Sequence, residues 1–286
     1  KNTKTITNTR IGGEKGSDIY GGSYCIEDDD YETFLKLYYN DIIKSNKMEY
    51  LTEKQRDNDG PILIDLDFRH TFETDTRQYS NEHIEDLVDA YLDELKQIYQ
   101  FDDSVDIPIF ILEKDKVNRV EAKKYTKDGI HIIIGLQADH TIQQILRAKM
   151  VERAAELMSD FPMINSWDDV FDEGISKGTT NWQLFGSRKP NHEQYKLSQV
   201  FNVKFDRTDS EFIVKKIPLS SFNIEQNIHK LSIRYTGHTS LFMKNSFVPT
   251  YEDFDKTNKN SSGQSSVNLS VLKHHSNELL DDITTI

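Results

Sequence analysis

Among its 286 residues the sequence contains a single cysteine, Cys25. One thiol can neither close an intramolecular disulfide nor build a cysteine-based zinc cluster, and its solitude fits a reducing compartment. Long apolar runs are missing too, so no segment reaches the length needed to span a bilayer. The N-terminus is polar from Lys1 to Gly22 and carries no secretory signal. Positive charge is in deficit, with 35 Lys and Arg against 48 Asp and Glu and a net charge of −13. That balance argues against a protein that coats nucleic acid nonspecifically, because phosphate binding rests on Lys and Arg. It leaves room for a local basic groove, and an acidic surface by itself helps keep a chain in solution. Gly-x-x-x-x-Gly-Lys-Ser/Thr, Gly-x-Ser-x-Gly and His-Glu-x-x-His are all absent, so P-loop, hydrolase-elbow and zincin chemistry fall away. The chain opens on Lys1 rather than Met, as expected of a piece excised from a longer protein.

What is present is patterned. Hydrophobic residues make up 36% of the chain and mean hydropathy is −0.66, so the core is modest. The length suits one large domain or two small ones. Tyr31, Phe34, Leu35, Tyr38 and Ile42 have helical spacing behind an acidic run at 27–30 that favours a helix N-terminus. Ser80 or Asn81 caps an amphipathic helix carrying Ile84, Leu87, Val88, Tyr91, Leu92, Leu95 and Ile98. Asp139 opens a second, with Ile142, Ile145, Leu146, Met150, Ala154 and Leu157. Strands are expected at 107–112, 130–136 and 182–185, and a hairpin at 200–205 and 211–217. Ser220 or Ser221 is expected to cap a short helix to about residue 230. Residues 1–24 read as mostly irregular, and 113–128 as a charged stretch without period. Residues 256–266 read as a flexible linker and 269–286 as a weak helical tail at most. Strands and helices alternate, so the class is α/β or α+β with a mixed sheet.

The chain is organised around residues 61–70, Pro-Ile-Leu-Ile-Asp-Leu-Asp-Phe-Arg-His. On a strand Asp65 and Asp67 share one face, while Ile64 and Leu66 point into the core. Two carboxylates side by side repel each other, and a divalent cation such as Mg²⁺ removes that cost. Two solvated or salt-bridged acids at a strand end are the alternative. A second candidate is Lys127-Asp-Gly-Ile-His131, where Gly129 permits a close backbone approach and His131 could donate to a phosphate or sugar. A satisfied structural histidine is the alternative there. On that strand His131, Ile133 and Gly135 share one face, and Ile130, Ile132 and Ile134 the other. A third candidate spans 167–190. It holds Asp168, Asp169 and Asp172, then Gly186-Ser187-Arg188-Lys189, two cations beside a glycine and a hydroxyl that suit phosphate binding. For any one of these acids alone, an ordinary charge on a surface turn is the favoured reading. The stretch 113–127 is locally basic, with Lys114, Lys116, Arg119, Lys123, Lys124 and Lys127, and suits a nucleic-acid or triphosphate contact or a solvated loop. Asp-x-Asp also occurs in haloacid-dehalogenase-type phosphatases, but those usually continue with a small residue and Thr or Val, where this chain has Phe68-Arg69. Glycosyltransferases that hold a metal and a nucleotide with Asp-x-Asp stay open.

In order along the chain, Ile62-Leu-Ile-Asp-Leu-Asp67, Gly129-Ile-His131 and Phe171-Asp172 resemble the archaeo-eukaryotic primase superfamily. With their flanks, and with Leu184-Phe-Gly-Ser-Arg-Lys-Pro190, they look like the primase part of poxvirus-type primase-helicases of large nucleocytoplasmic DNA viruses. The resemblance covers about residues 24–235. It implies an N-terminal αβ unit and an RNA-recognition-motif-like unit with the active site between them. It implies template-directed nucleotidyl transfer with Mg²⁺ or Mn²⁺, on a single-stranded DNA template, from NTPs or dNTPs, in viral DNA replication. By match, Asp65, Asp67 and Asp172 would hold the metals. His131, and with it Lys127, Ser187, Arg188 and Lys189, would contact the nucleotide. The expected layout is a flexible segment at 1–23, the catalytic domain at 24–254, and the start of a linker or following domain at 255–286. The helicase of such proteins would lie outside this chain. No membrane partner is expected, and the location would be intracellular, in the host cytoplasm or nucleus. The alternatives are a metal-dependent phosphohydrolase or glycosyltransferase, or a catalytically idle module that binds single strands.

Overall fold

The computed structural model describes residues 5–260. In chain order the strands are β1 (Asn8–Arg10), β2 (Gly22–Tyr24), β3 (Leu51–Glu53), β4 (Pro61–Thr71), β5 (Asp106–Glu113), β6 (Asn118–Val120), β7 (Tyr125–Gln137), β8 (Trp182–Gln183), β9 (Lys196–Asp206) and β10 (Glu211–Ile217). The helices are α1 (Asp28–Tyr38), α2 (Asn81–Ile98), α3 (His140–Leu157), α4 (Trp167–Val170), α5 (Glu173–Ser176), α6 (Ile224–Asn227) and α7 (Val248–Asn260). A π-helical turn, Tyr39–Ile43, extends α1.

The strands form two sheets, one ordered β2-β1-β3-β8 and the other β10-β9-β5-β7-β4, with β6 beside the outer half of β7. Among the pairs of the described strands, the ladders of the larger sheet are antiparallel rather than mixed. Two helical crossovers explain this. Helix α2 joins β4 to β5 and α3 joins β7 to β9, yet β7 lies between the first two and β5 between the second two. Each crossover therefore links strands that run the same way without being neighbours. This β-α-β-β-α-β succession, with a small sheet and α1 ahead of it, is the two-part α/β arrangement expected from the sequence.

Helices α2 and α3 cover one face of the large sheet. Ile62, Ile64, Leu66 and Phe68 of β4 and Ile130, Ile132 and Ile134 of β7 meet Ile84, Leu87, Leu95, Ile145 and Leu146 there. Each such fully buried side chain contributes about 1.5–3 kcal/mol. Both helices begin where the sequence places them. Ser80 forms a capping box in which its N–H donates to His83 Nδ1 at 3.0 Å. Asp139 Oδ1 accepts from Ile142 N at 2.8 Å. The opposite face of the sheet is apolar at Leu63, Phe110 and Ile133, which pack with Trp182 and Ile175. Along β4 and β7 that face turns polar at Asp65 and His131, and the gap between the two sheets opens there.

Four further expectations need correction. Among its described residues the stretch to Tyr24 is mostly irregular, as expected, but it also holds two unexpected strands: β1 pairs with both β2 and β3. Its strands are polar, held by Asn8 donating to the Tyr31 hydroxyl at 2.9 Å and by the Thr9–Thr52 hydroxyl pair, so they carry no hydrophobic alternation. The basic stretch holds β6 and the start of β7, paired from Asn118↔Lys127 to Val120↔Tyr125. The expected linker begins inside α7, which is anchored by buried Phe247 and Phe254 and by Tyr251 donating to Asp139 Oδ2 at 2.8 Å. Asn223, not Ser220 or Ser221, caps the short helix α6. Residues 261–286, with the expected tail, lie outside the described residues.

Candidate active site

Asp65 and Asp67 alternate with Ile64 and Leu66 on β4, and the register pairs Asp65 with His131 and Asp67 with Gly129. The carboxylates and the imidazole thus reach the same face of adjacent strands. Gly129 is what lets them close up. A Cβ there would lie 2.7 Å from the Leu66 carbonyl and 2.8 Å from the Tyr195 hydroxyl. Any side chain would push Tyr195 off the sheet.

The third acid arrives from the side. β4 is an edge strand, and the segment 164–172 runs along its open edge. Ile164 N donates to the Arg69 carbonyl at 2.8 Å, and Asp172 N donates to the Asp65 carbonyl at 3.0 Å. Between them Asn165 accepts from Arg69 N at 2.9 Å and donates to the Asp67 carbonyl at 2.9 Å. Covering the edge satisfies its backbone and brings Asp172 next to Asp65. Asp172 Oδ1 accepts from Ile175 N at 2.9 Å, capping α5. Asp168 is turned away to Arg147, at 2.9 Å, and Asp169 accepts from Ser166 at 3.0 Å.

Asp65, Asp67, Lys127, His131, Asp172 and Lys189 all line one cavity of about 320 Å³. Its other wall comes from the small sheet and its neighbours, through Thr9, Thr52, Asn181 and Trp182. The site therefore lies between the two sheets. His131 is 7% exposed and held between two rings. Tyr195 stacks on it with centroids 3.5 Å apart, and Trp182 lies 4.4 Å away on a tilted plane. Lys114 Nζ sits over the Tyr195 ring, 4.6 Å from its centre. Burial, reinforced by the charges of Asp65 and Asp67, holds the Tyr195 phenol well above its ordinary value, so it stays neutral.

Charge is unevenly balanced in the cavity. Lys127 Nζ donates to Asp67 Oδ2 at 2.7 Å. His131 Nε2 stands 3.5 Å from Asp65 Oδ1, and that buried oxygen has no hydrogen-bond partner among the described residues. Burial pushes the Asp67 carboxyl up, the Asp65 charge adds to this, and Lys127 only partly offsets them. Burial also acts to raise Asp65, but His131, Lys127 and Lys189 outweigh it and hold that carboxyl below its ordinary value. Burial and the charges of Lys127 and Lys189 lower Lys114. Burial lowers His192 on the cavity rim, helped by the Lys114, Lys189 and Lys127 charges.

An orphaned buried carboxylate oxygen beside a second, repelled carboxylate fits a hard divalent cation, which takes oxygen ligands and removes that repulsion. Among the described residues no group of three or more His, Cys, Asp or Glu is close enough to hold a metal as it stands. Asp65 and Asp67 form the pair, with Asp172 adjacent through the backbone.

Two expected contacts are not on the cavity. Ser187 is buried, pairs with the Tyr38 hydroxyl at 2.8 Å and accepts from Leu51 N at 3.0 Å. Arg188 reaches Gln194 at 3.4 Å, and its backbone N–H donates to Glu49. The turn 186–188 joins the small sheet to α1, and only Lys189 emerges into the cavity. Sequence reasoning missed Trp182, Tyr195 and Asn165 as site-builders. Tyr195 sits in a polar run, His192-Glu-Gln-Tyr195, and no pattern there marks it as buried.

A family model described as the C962R protein N-terminal AEP domain matches residues 16–201, which contain all of the cavity acids and cations named above. The chain is 31% identical over 205 residues to "Putative helicase L207/L206" of Acanthamoeba polyphaga mimivirus. That alignment covers 67% of this chain and 21% of the mimivirus protein, so the chain spans about a fifth of its relative.

Proposed function

This chain belongs to the family of C962R-type N-terminal AEP domains, the archaeo-eukaryotic primase type, and on that footing we propose that it makes nucleic acid on a single-stranded DNA template. The reaction is nucleotidyl transfer from an NTP or dNTP to a 3′-hydroxyl, with pyrophosphate leaving. The observation that carries the proposal is the register of β4 on β7. It sets Asp65 and Asp67 opposite His131 and Gly129, facing one cavity that also receives Asp172.

Asp65 and Asp67, joined by Asp172, are the residues that would hold Mg²⁺ or Mn²⁺. When bound, the cation supplies acidity at the attacking hydroxyl and charge neutralisation at the leaving group. The rest falls to the protein. Lys127, Lys114 and Lys189 lie on the cavity wall and offset the triphosphate's charge. His131, fixed between Trp182 and Tyr195, presents a donor to a phosphate or the sugar. Phosphoryl transfer depends chiefly on such positioning and charge stabilisation. We assign catalysis to residues 24–254 together with β1, whose Thr9 lines the cavity. A helicase segment outside this chain would be its working partner, in the replication of a large DNA virus inside the host cell. Among the described residues no helix is long and apolar enough to cross a membrane.

The test is incubation with a single-stranded template, NTPs or dNTPs and Mn²⁺. Short template-directed products are expected, and Asp65→Ala and Asp67→Ala should abolish them. No product from the wild type, or equal product from the variants, would overturn the reading.

A further inference from the structure

We propose that the sheet face running outward from the carboxylates along β4 and β7 is a track for single-stranded DNA, with Arg69 and Tyr125 at its centre. The inference rests on the primase reading for the identity of the strand, since that reading puts a template at this cavity.

The register continues past the active site. After Asp67↔Gly129 come Arg69↔Lys127 and Thr71↔Tyr125. Side chains alternate, so Asp65, Asp67, Arg69 and Thr71 share one face with His131, Lys127 and Tyr125. Burial follows the same alternation, with Leu66, Phe68 and His70 buried and Asp67 and Arg69 only half-buried. The Arg69 guanidinium lies over the Tyr125 ring, 5.7 Å from its centre. Arg69 Nε has no hydrogen-bond partner, and no carboxylate pairs with Arg69 or Arg119 among the described residues. The Phe72 ring that lies against Arg119 and Lys124 belongs to the opposite face, because Arg119 pairs with Thr126 rather than with Tyr125 or Lys127.

Charge makes the location specific. Residues 114–127 carry six Lys and Arg against two acids, in a chain whose net charge is −13. Cations are thus concentrated on the β6–β7 hairpin that leads into the cavity, where Lys127 already reaches Asp67. Each two-residue step along a strand is about 6.7 Å, comparable to the spacing of nucleotides in an extended single strand. Two cations and a ring at that spacing suit phosphates and an unpaired base together, and every base offers a face to stack. A duplex offers no free base face to Tyr125, so the occupant is single-stranded.

The experiment is fluorescence anisotropy of a labelled oligothymidylate with the full chain over a salt series, with template-directed synthesis scored on the same preparations. Wild type should bind with strong salt dependence. Tyr125→Ala should weaken binding roughly 5- to 150-fold, the range for loss of one stacked base, and Tyr125→Phe should restore it. Arg69→Ala should reduce the salt slope by about one. If Tyr125→Ala melts early, Thr71→Glu, exposed on the same face opposite Tyr125, carries the test and should also weaken binding. Wild-type binding by all these variants, or no binding by wild type, overturns the track. Synthesis by wild type with unaltered binding in the variants overturns the track alone. Selective binding losses in a protein that makes no product overturn the primase reading and leave the strand-binding surface standing.

Discussion

The backbone N–H of Asp172 donates to the carbonyl of Asp65 at 3.0 Å. This one bond ties an acid distant in the chain to the strand that carries the other two. It also explains why Asp172 rather than Asp168 or Asp169 belongs to the cavity. Residues 164–172 form the cover of an edge strand, and the cover ends where Asp172 meets Asp65. Exposed strand edges attract unwanted pairing, so covering one serves the fold. Here the same cover delivers an acid to the site.

That cover can be weakened selectively. Asn165→Ala removes the donor to the Asp67 carbonyl and the acceptor for Arg69 N. Loss of buried partners costs about 1–3 kcal/mol. We expect a lower melting temperature and faster hydrogen exchange at the Arg69 amide. Unchanged exchange there would show that the edge is held by other means.

The repulsion between Asp65 and Asp67 should be visible in stability. Burial and the Asp65 charge hold the Asp67 carboxyl above its ordinary value in the fold. Such a group retains a proton that the unfolded chain has already released. Stability therefore falls as pH rises from the ordinary aspartate range through the raised value. Without metal at neutral pH, Asp67→Asn should melt higher than wild type, at roughly 2–4 °C per kcal/mol gained. Adding Mn²⁺ should raise the melting temperature of wild type and leave Asp67→Asn nearly unmoved. The reverse order in thermal melts would contradict the arrangement.

On the proposed function, Tyr195 would act on chemistry through His131, as a positioning residue. Its ring stacks on the imidazole at 3.5 Å. Misplacing a positioned group by about 1 Å can cost on the order of 10²-fold. Tyr195→Leu is expected to lower template-directed synthesis by about 10- to 100-fold, while Tyr195→Phe keeps the stack and most of the rate. Equal losses in both variants would assign the effect to the hydroxyl instead.

Ser187 separates a structural role from nucleotide contact. Ser187→Ala leaves Leu51 N without its acceptor and the Tyr38 hydroxyl without a partner. The expected cost is about 1–3 kcal/mol, with nucleotide affinity unchanged in a titration with Mn²⁺. A drop in affinity at constant melting temperature would return Ser187 to the site.

The sequence by itself determined the amphipathic elements. The Ser80 and Asp139 caps, the periods of α2 and α3, and the alternation that puts Asp65 and Asp67 on one face are local properties, set by neighbouring residues. The motif order was equally legible, because type and spacing survive in one dimension. Tertiary structure decided what depends on partners distant in the chain. The strands β1 and β2 were hidden because polar cross-strand bonds stabilise them. Tyr195 was hidden because its burial depends on Gly129 leaving room. Ser187 and Lys189 differ by two positions, yet one is enclosed by Tyr38 and Leu51 and the other enters the cavity. Alternation could predict which residues share a face; which faces meet is decided only by how the two sheets pack.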